Sequence, residues 1–105
     1  MQRYVPSQIQ GTTEYTGVVK FIVENSPAFD VGQFQIKEGD ALGPETNDKD
    51  KTYFIIAGTL CVEQTATGKK HTLNTGDIFV INGGEEHRST SVGKDEAFVL
   101  WVRGK

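Results

Sequence analysis

The stretch Gly76-Asp77-Ile78-Phe79-Val80-Ile81-Asn82-Gly83-Gly84-Glu85-Glu86-His87 constrains the fold more than any other part of the chain. Gly76-Asp77 makes a tight turn, and Ile78 to Ile81 form a continuous apolar run of strand length. Asn82-Gly83-Gly84 supplies a second turn in which positive φ is accessible, and His87 follows just after it. A histidine delivered at the start of a strand, directly after a glycine turn, is placed to point into the mouth of a barrel.

The rest of the chain keeps the same rhythm of strand and turn. Val18 to Glu24 alternates, with Val19, Phe21 and Val23 on one face, and Val31 to Lys37 turns Phe34 and Ile36 towards a core. Thr52 to Ala57 and Leu60 to Gln64 read as a hairpin about Gly58-Thr59, followed by a short strand from Lys70 to Leu73. Glu86 to Ser91 carries His87. Ala97 to Val102 is apolar on both faces, which predicts a central strand or one covered by another subunit. Glu38 to Lys51 reads as a long polar loop, of a length that is often functional. The total is roughly nine short strands at sandwich or barrel spacing, with no amphipathic helix. A hydrophobic content of 36% with 12 glycines in 105 residues agrees with an all-β chain of one domain. Residues 1–16 are expected to form an arm on a neighbouring sheet or partner subunit, and residues 17–103 the barrel.

Composition also excludes partners. A net charge of −3 without a basic stripe argues against nucleic acid. No apolar run approaches the ~18 residues that span a bilayer, so no membrane partner is expected. The opening Met1-Gln2-Arg3-Tyr4-Val5-Pro6 lacks the apolar core of a signal peptide. The single Cys61 cannot form an internal disulfide, which suits a reducing cytoplasm, and it reads as a small buried hydrophobe.

The spacing Gly76, five residues, Asn82-Gly83-Gly84, two residues, His87, three residues, Ser91 resembles the second motif of the cupin family. There a Pro-x-Gly turn precedes a metal-binding histidine and often a later asparagine. Asn82 stands at the proline position and Ser91 at the asparagine position. The first cupin motif runs from glycine through His-x-His and glutamate to a second glycine. Gly39 and Gly58 match its ends, while Glu45, Asn47 and Lys51 occupy the two histidine positions and the glutamate position. The resemblance covers roughly residues 31 to 102 and implies a cupin-type double-stranded β-helix, a jelly-roll barrel.

The resemblance implies a site at Glu45, Asn47, Lys51 and His87. A divalent transition metal there would have Glu45, Asn47 and His87 as donors. The Lys51 ammonium opposes it: at 4 Å and an effective dielectric of ~20 the repulsion is roughly 8 kcal/mol. The expectation is therefore a site without a cofactor. In it, Glu45 and His87 stand across a pocket and move a proton on a small polar or carbonyl-bearing molecule, while Lys51 supplies a positive charge. Asn47, Tyr53 and Ser91 are the expected substrate-binding residues. Metal-independent cupins include epimerases and ketoisomerases, so an isomerase, cyclase or lyase is implied by resemblance. A divergent metal-dependent oxygenase or isomerase and a non-catalytic sensing module are the alternatives. A homodimer is expected. His71, within Lys-Lys-His-Thr, reads as an exposed surface residue, and Phe21, Phe34, Tyr53, Phe54, Phe79, Phe98 and Trp101 as core.

Overall fold

Period-two burial, the mark of a half-buried sheet, runs through most of the strands. The computed structural model describes residues 1–105, and nearly all of its regular structure is antiparallel. A short turn of 3₁₀-helix at Pro6–Gln8 precedes ten strands. They are β1 (Thr12–Glu14), β2 (Gly17–Val23), β3 (Phe29–Ile36), β4 (Ala41–Glu45), β5 (Lys51–Ala57), β6 (Thr59–Gln64), β7 (Lys69–Asn74), β8 (Ile78–Ile81), β9 (His87–Ser91) and β10 (Ala97–Gly104). The larger sheet has the order β1-β2-β3-β10-β5-β8 and the smaller the order β4-β9-β6-β7. Side chains from the two inner faces interlock as in a jelly roll. Val19, Phe34, Ile36, Tyr53, Ile55, Val99 and Trp101 come from the larger sheet, and Leu42, Leu60, Val62 and Leu73 from the smaller.

The strand that is apolar on both faces is central, the first of the two arrangements its composition allows: β10 lies between β3 and β5. Its register sets Trp101 opposite Gly32 on one side and Tyr53 on the other. The indole occupies the space that a side chain at position 32 would need. A Cβ there would collide with Trp101 and lie 2.5 Å from the Lys20 carbonyl oxygen. Phe21 packs edge-on against the same indole, with ring centroids 5.6 Å apart.

Several expectations are corrected. Residues 38–51 are not one loop, because Ala41–Glu45 forms β4 and pairs with β9. Gly43 and Pro44 inside that segment hide the strand signal. Gly43 has φ of +105°, and the ladder shifts between Leu42 and Glu45. A Cβ at Gly43 would stand 2.7 Å from the His87 carbonyl oxygen, so only glycine lets β4 approach β9 this closely. Thr12–Glu14, within the expected arm, is an edge strand on β2. Phe54 and Phe98 belong to the outer face and are half-buried, whereas Trp101, Tyr53 and Phe34 lie in the core. Cys61 is half-buried on β6.

Gly32→Ala should cost about 2–3 kcal/mol through overpacking against Trp101. In urea denaturation this is expected as a lower midpoint with an unchanged m-value.

Candidate functional site

Cross-strand register assembles the site. Glu45 and His87 are direct partners across β4 and β9, and His87 is in turn the partner of Gln64 on β6. On the facing sheet Lys51 and Tyr53 project inward from β5, with Arg103 and Trp101 as their partners on β10. Both sheets therefore bring polar groups to the same end of the barrel. Lys51 Nζ lies 3.4 Å from Glu45 Oε1, which is also 3.3 Å from His87 Nε2. The Tyr53 hydroxyl is 3.5 Å from His87 Nε2. The Lys51 ammonium also sits over the rings of Trp101, at 4.8 Å, and Tyr53, at 5.6 Å.

These contacts fix the charges. Lys51 has a side chain only 7% exposed, and burial pulls its pKa below the ordinary lysine value while the Glu45 charge holds it up. The hydrogen bond from His87 pulls the Glu45 pKa down to about 2, helped by the Lys51 charge and opposed by partial burial. Burial first, and the Glu45 charge second, push the Tyr53 phenol up, so it stays a neutral hydroxyl. His87 Nδ1 is 3.0 Å from the Glu85 carbonyl oxygen, which can only accept, so Nδ1 carries a proton. Attraction between His87 Nε2 and the Glu45 carboxylate requires a second proton on the ring. The row is thus an ammonium, a carboxylate and an imidazolium in direct contact.

Glu45 and His87 therefore do not stand across a pocket from each other, as expected, but touch. The contacts divide the mouth of the barrel. On one side is a cavity of about 260 Å³ lined by His87, Gln64, Lys69, His71, Phe79 and Glu85, among others. On the other is a space of about 60 Å³ lined by Glu45, Lys51, Trp101 and Arg103.

Asn47 reaches the same end, where its Oδ1 accepts from Arg103 Nη1 at 3.4 Å and its Nδ2 is buried without a partner. Ser91 does not join them. It lies four residues along β9 from His87, about 13 Å away by strand rise, and its hydroxyl donates to the Asp95 carbonyl at 3.2 Å. The segment between β4 and β5 is an ordered wall. Gly84 N–H donates to the Asn47 carbonyl at 2.7 Å, and Gly83 N–H to the Asp50 carboxylate at 2.8 Å. A Cβ at Gly83 would meet the Asp48 carbonyl oxygen at 2.5 Å, so this turn needs glycine for close approach.

Glu45, Asn47 and His87 do not fit a divalent metal. The only good donor atom of Asn47 is engaged by the Arg103 guanidinium, and the Lys51 ammonium is held at the Glu45 carboxylate. No three histidine, cysteine, aspartate or glutamate side chains converge in a ligating group.

Sequence reasoning missed Arg103, Gln64, Glu85 and His71. His71 is half-buried in the larger cavity with its ring centroid 5.0 Å from that of Phe79, not exposed on the surface. The signal was parity: in Lys69-Lys70-His71 the inward residues alternate with the outward Lys70.

Because the Glu45 pKa is lower in the folded chain than its ordinary 4.5, its contribution to stability is complete above pH 4.5 and is lost as pH falls towards 2. The stability difference between wild type and Glu45→Gln, measured by denaturant unfolding, should shrink over that window.

Comparison with known proteins gives a consistent result. A family model described as the cupin domain matches residues 32–103. The polyketide cyclase RemF of Streptomyces resistomycificus superposes with a TM-score of 0.85 at 13% identity, covering 99% of this chain and 79% of that one. KdgF of Halomonas sp. gives 0.80 at 17% identity, covering 100% and 94%. A predicted oxalate decarboxylase from Thermotoga maritima gives 0.82 at 16% identity, covering 98% of each chain. At these identities the likeness shows the fold alone. No curated protein sequence matches the chain.

Proposed function

The chain belongs to the cupin family, and from that premise we propose that it is a small enzyme of the isomerase, cyclase or lyase type. It acts on a small polar or carbonyl-bearing molecule without a metal. The observation that carries this reading is the buried row of Lys51, Glu45 and His87. In it an ammonium takes the part that a metal ion plays for a carboxylate and an imidazole.

The roles follow from the charges. His87 is the proton carrier: its Nδ1–H is committed to the Glu85 carbonyl, so Nε2 is the exchanging nitrogen. Its contacts to Glu45 and Tyr53, at 3.3 and 3.5 Å, are longer than a tight hydrogen bond and can yield to a substrate group. Glu45 stays anionic and stabilises the imidazolium, which gives its Nε2 proton to the substrate at one position and recovers one from another. Lys51 holds Glu45 in that state as an electrostatic partner beneath it, too buried to meet substrate itself. The buried Tyr53 hydroxyl, 3.5 Å from His87 Nε2, positions the ring, and the unpartnered Asn47 Nδ2 is a neutral donor for a developing oxyanion. A polyketide cyclase among the similar folds supports the cyclase form of this reading.

The test is proton exchange. Deuterium incorporation from D₂O into a panel of small keto and hydroxy carbonyl compounds, followed by NMR, should be accelerated for at least one compound and unaffected by chelators. His87→Ala and Glu45→Gln should each slow it by about 100-fold or more. Stoichiometric Fe, Mn, Ni or Zn in protein purified without chelator, lost in His87→Ala, would overturn the reading in favour of a metal-dependent enzyme.

We assign a second copy of the chain as partner and the cytoplasm as location. The lone Cys61 supports the latter, and no helix is long and apolar enough to cross a membrane. The outer face of β5 and the edge strand β8 supports the dimer, since Ile56, Ile78 and Val80 are 48%, 65% and 53% exposed there. Sedimentation should give a dimer for wild type and a monomer for Ile78→Asp; a monomeric wild type would refute the assignment.

A further inference from the structure

The larger cavity holds a hydrogen-bond relay that the acid–base row does not use. Gln64 Nε2 donates to Glu85 Oε2 at 2.7 Å, which fixes the amide with its NH₂ on the carboxylate. Gln64 Oε1 is then an acceptor, and at 3.4 Å from His71 Nε2 it places the His71 proton on that nitrogen. In that tautomer Nδ1 is the ring's acceptor, and it faces no partner within the chain. Glu85 is anchored in turn, because its Oε1 accepts from the Asn82 backbone N–H at 3.0 Å. One residue thus orients both histidines of the cavity, His87 through its main chain and His71 through Gln64.

The remaining lining is divided. Val62, Phe79 and Ile81 supply an apolar wall, and Lys69 stands on the same face of β7 as His71 with no ion-pair partner. Two residues of strand set their Cα atoms roughly 7 Å apart, so a cation and an imidazole open on the cavity from neighbouring positions of one strand face. A volume of 260 Å³ equals that of roughly nine waters, enough for about ten non-hydrogen atoms.

We propose that this cavity binds a small planar carboxylate bearing a hydroxyl at its far end, with the carboxylate on Lys69, the ring against Phe79 and the hydroxyl donating to His71. The proposal rests on the acid–base reading only in that His87 lines the same cavity. It identifies the substrate class from the side chains around it: a cation at one end, an acceptor at the other and an apolar slot between.

4-Hydroxybenzoate is the probe, with benzoate and phenol as its truncated forms, and binding is read by NMR without turnover. 4-Hydroxybenzoate should shift the Gln64 side-chain amide, the His71 ring and the Phe79 resonances, and leave the Trp101 indole unmoved. Loss of either end of the probe should weaken binding at least 5-fold. Lys69→Met should erase the preference over phenol, and His71→Phe the preference over benzoate, each sparing the other. Shifts centred on Trp101, no shift at about 10 mM probe, or preferences that survive both substitutions would overturn the assignment. Glu45→Gln separates the two readings: it should slow proton exchange by about 100-fold or more and leave probe binding in this cavity intact.

Discussion

Lys51 is a buried ammonium, and the end of the barrel around it is arranged to keep it charged. Stripping water from such a group costs several kcal/mol, which only close and well-directed partners offset. Glu45 provides the charge, and the faces of Trp101 and Tyr53 provide polarisable surface. Arg103, its cross-strand neighbour, adds to the cost, and is itself drawn to Asp30 at 3.0 Å and lies over the Trp101 ring at 5.3 Å. Asp30 is held below the ordinary aspartate range by that guanidinium, and Lys105 closes the sequence of alternating charges at 3.1 Å.

The same arrangement joins the two sheets. Lys51 and Tyr53 belong to β5, while Glu45 and His87 belong to β4 and β9. Over most of the interior the sheets are held by apolar side chains, which tolerate small slips. Here charged atoms at 3.3 and 3.4 Å set the spacing. Removing one partner of a buried charge leaves the other uncompensated, so this end is where the sandwich has least freedom.

Much of this was legible in the sequence, for physical reasons that differ by residue. Alternation located the core faces of β2 and β3, because period-two burial is a property of a single strand. The spacing from Gly76 to His87 located the histidine, because glycine turns announce themselves locally. β4 was hidden because its pairing depends on Gly43 fitting against the His87 carbonyl, a contact between segments distant in sequence. Contact between Glu45 and His87, rather than separation across a pocket, follows from register, which no single segment encodes. His71 was misread because two flanking lysines suggest solvent, although only one of them shares its face.

The turn at Gly83-Gly84 carries a consequence of its own. It donates both its N–H groups to the segment between β4 and β5, and position 83 has no room for a side chain. The segment bearing Asn47 and the turn leading to His87 therefore behave as a latch and its keeper. Neither can lengthen by a residue without unseating the other. Sequence drift in one should be matched by drift in the other, even though about thirty-five residues of chain lie between them.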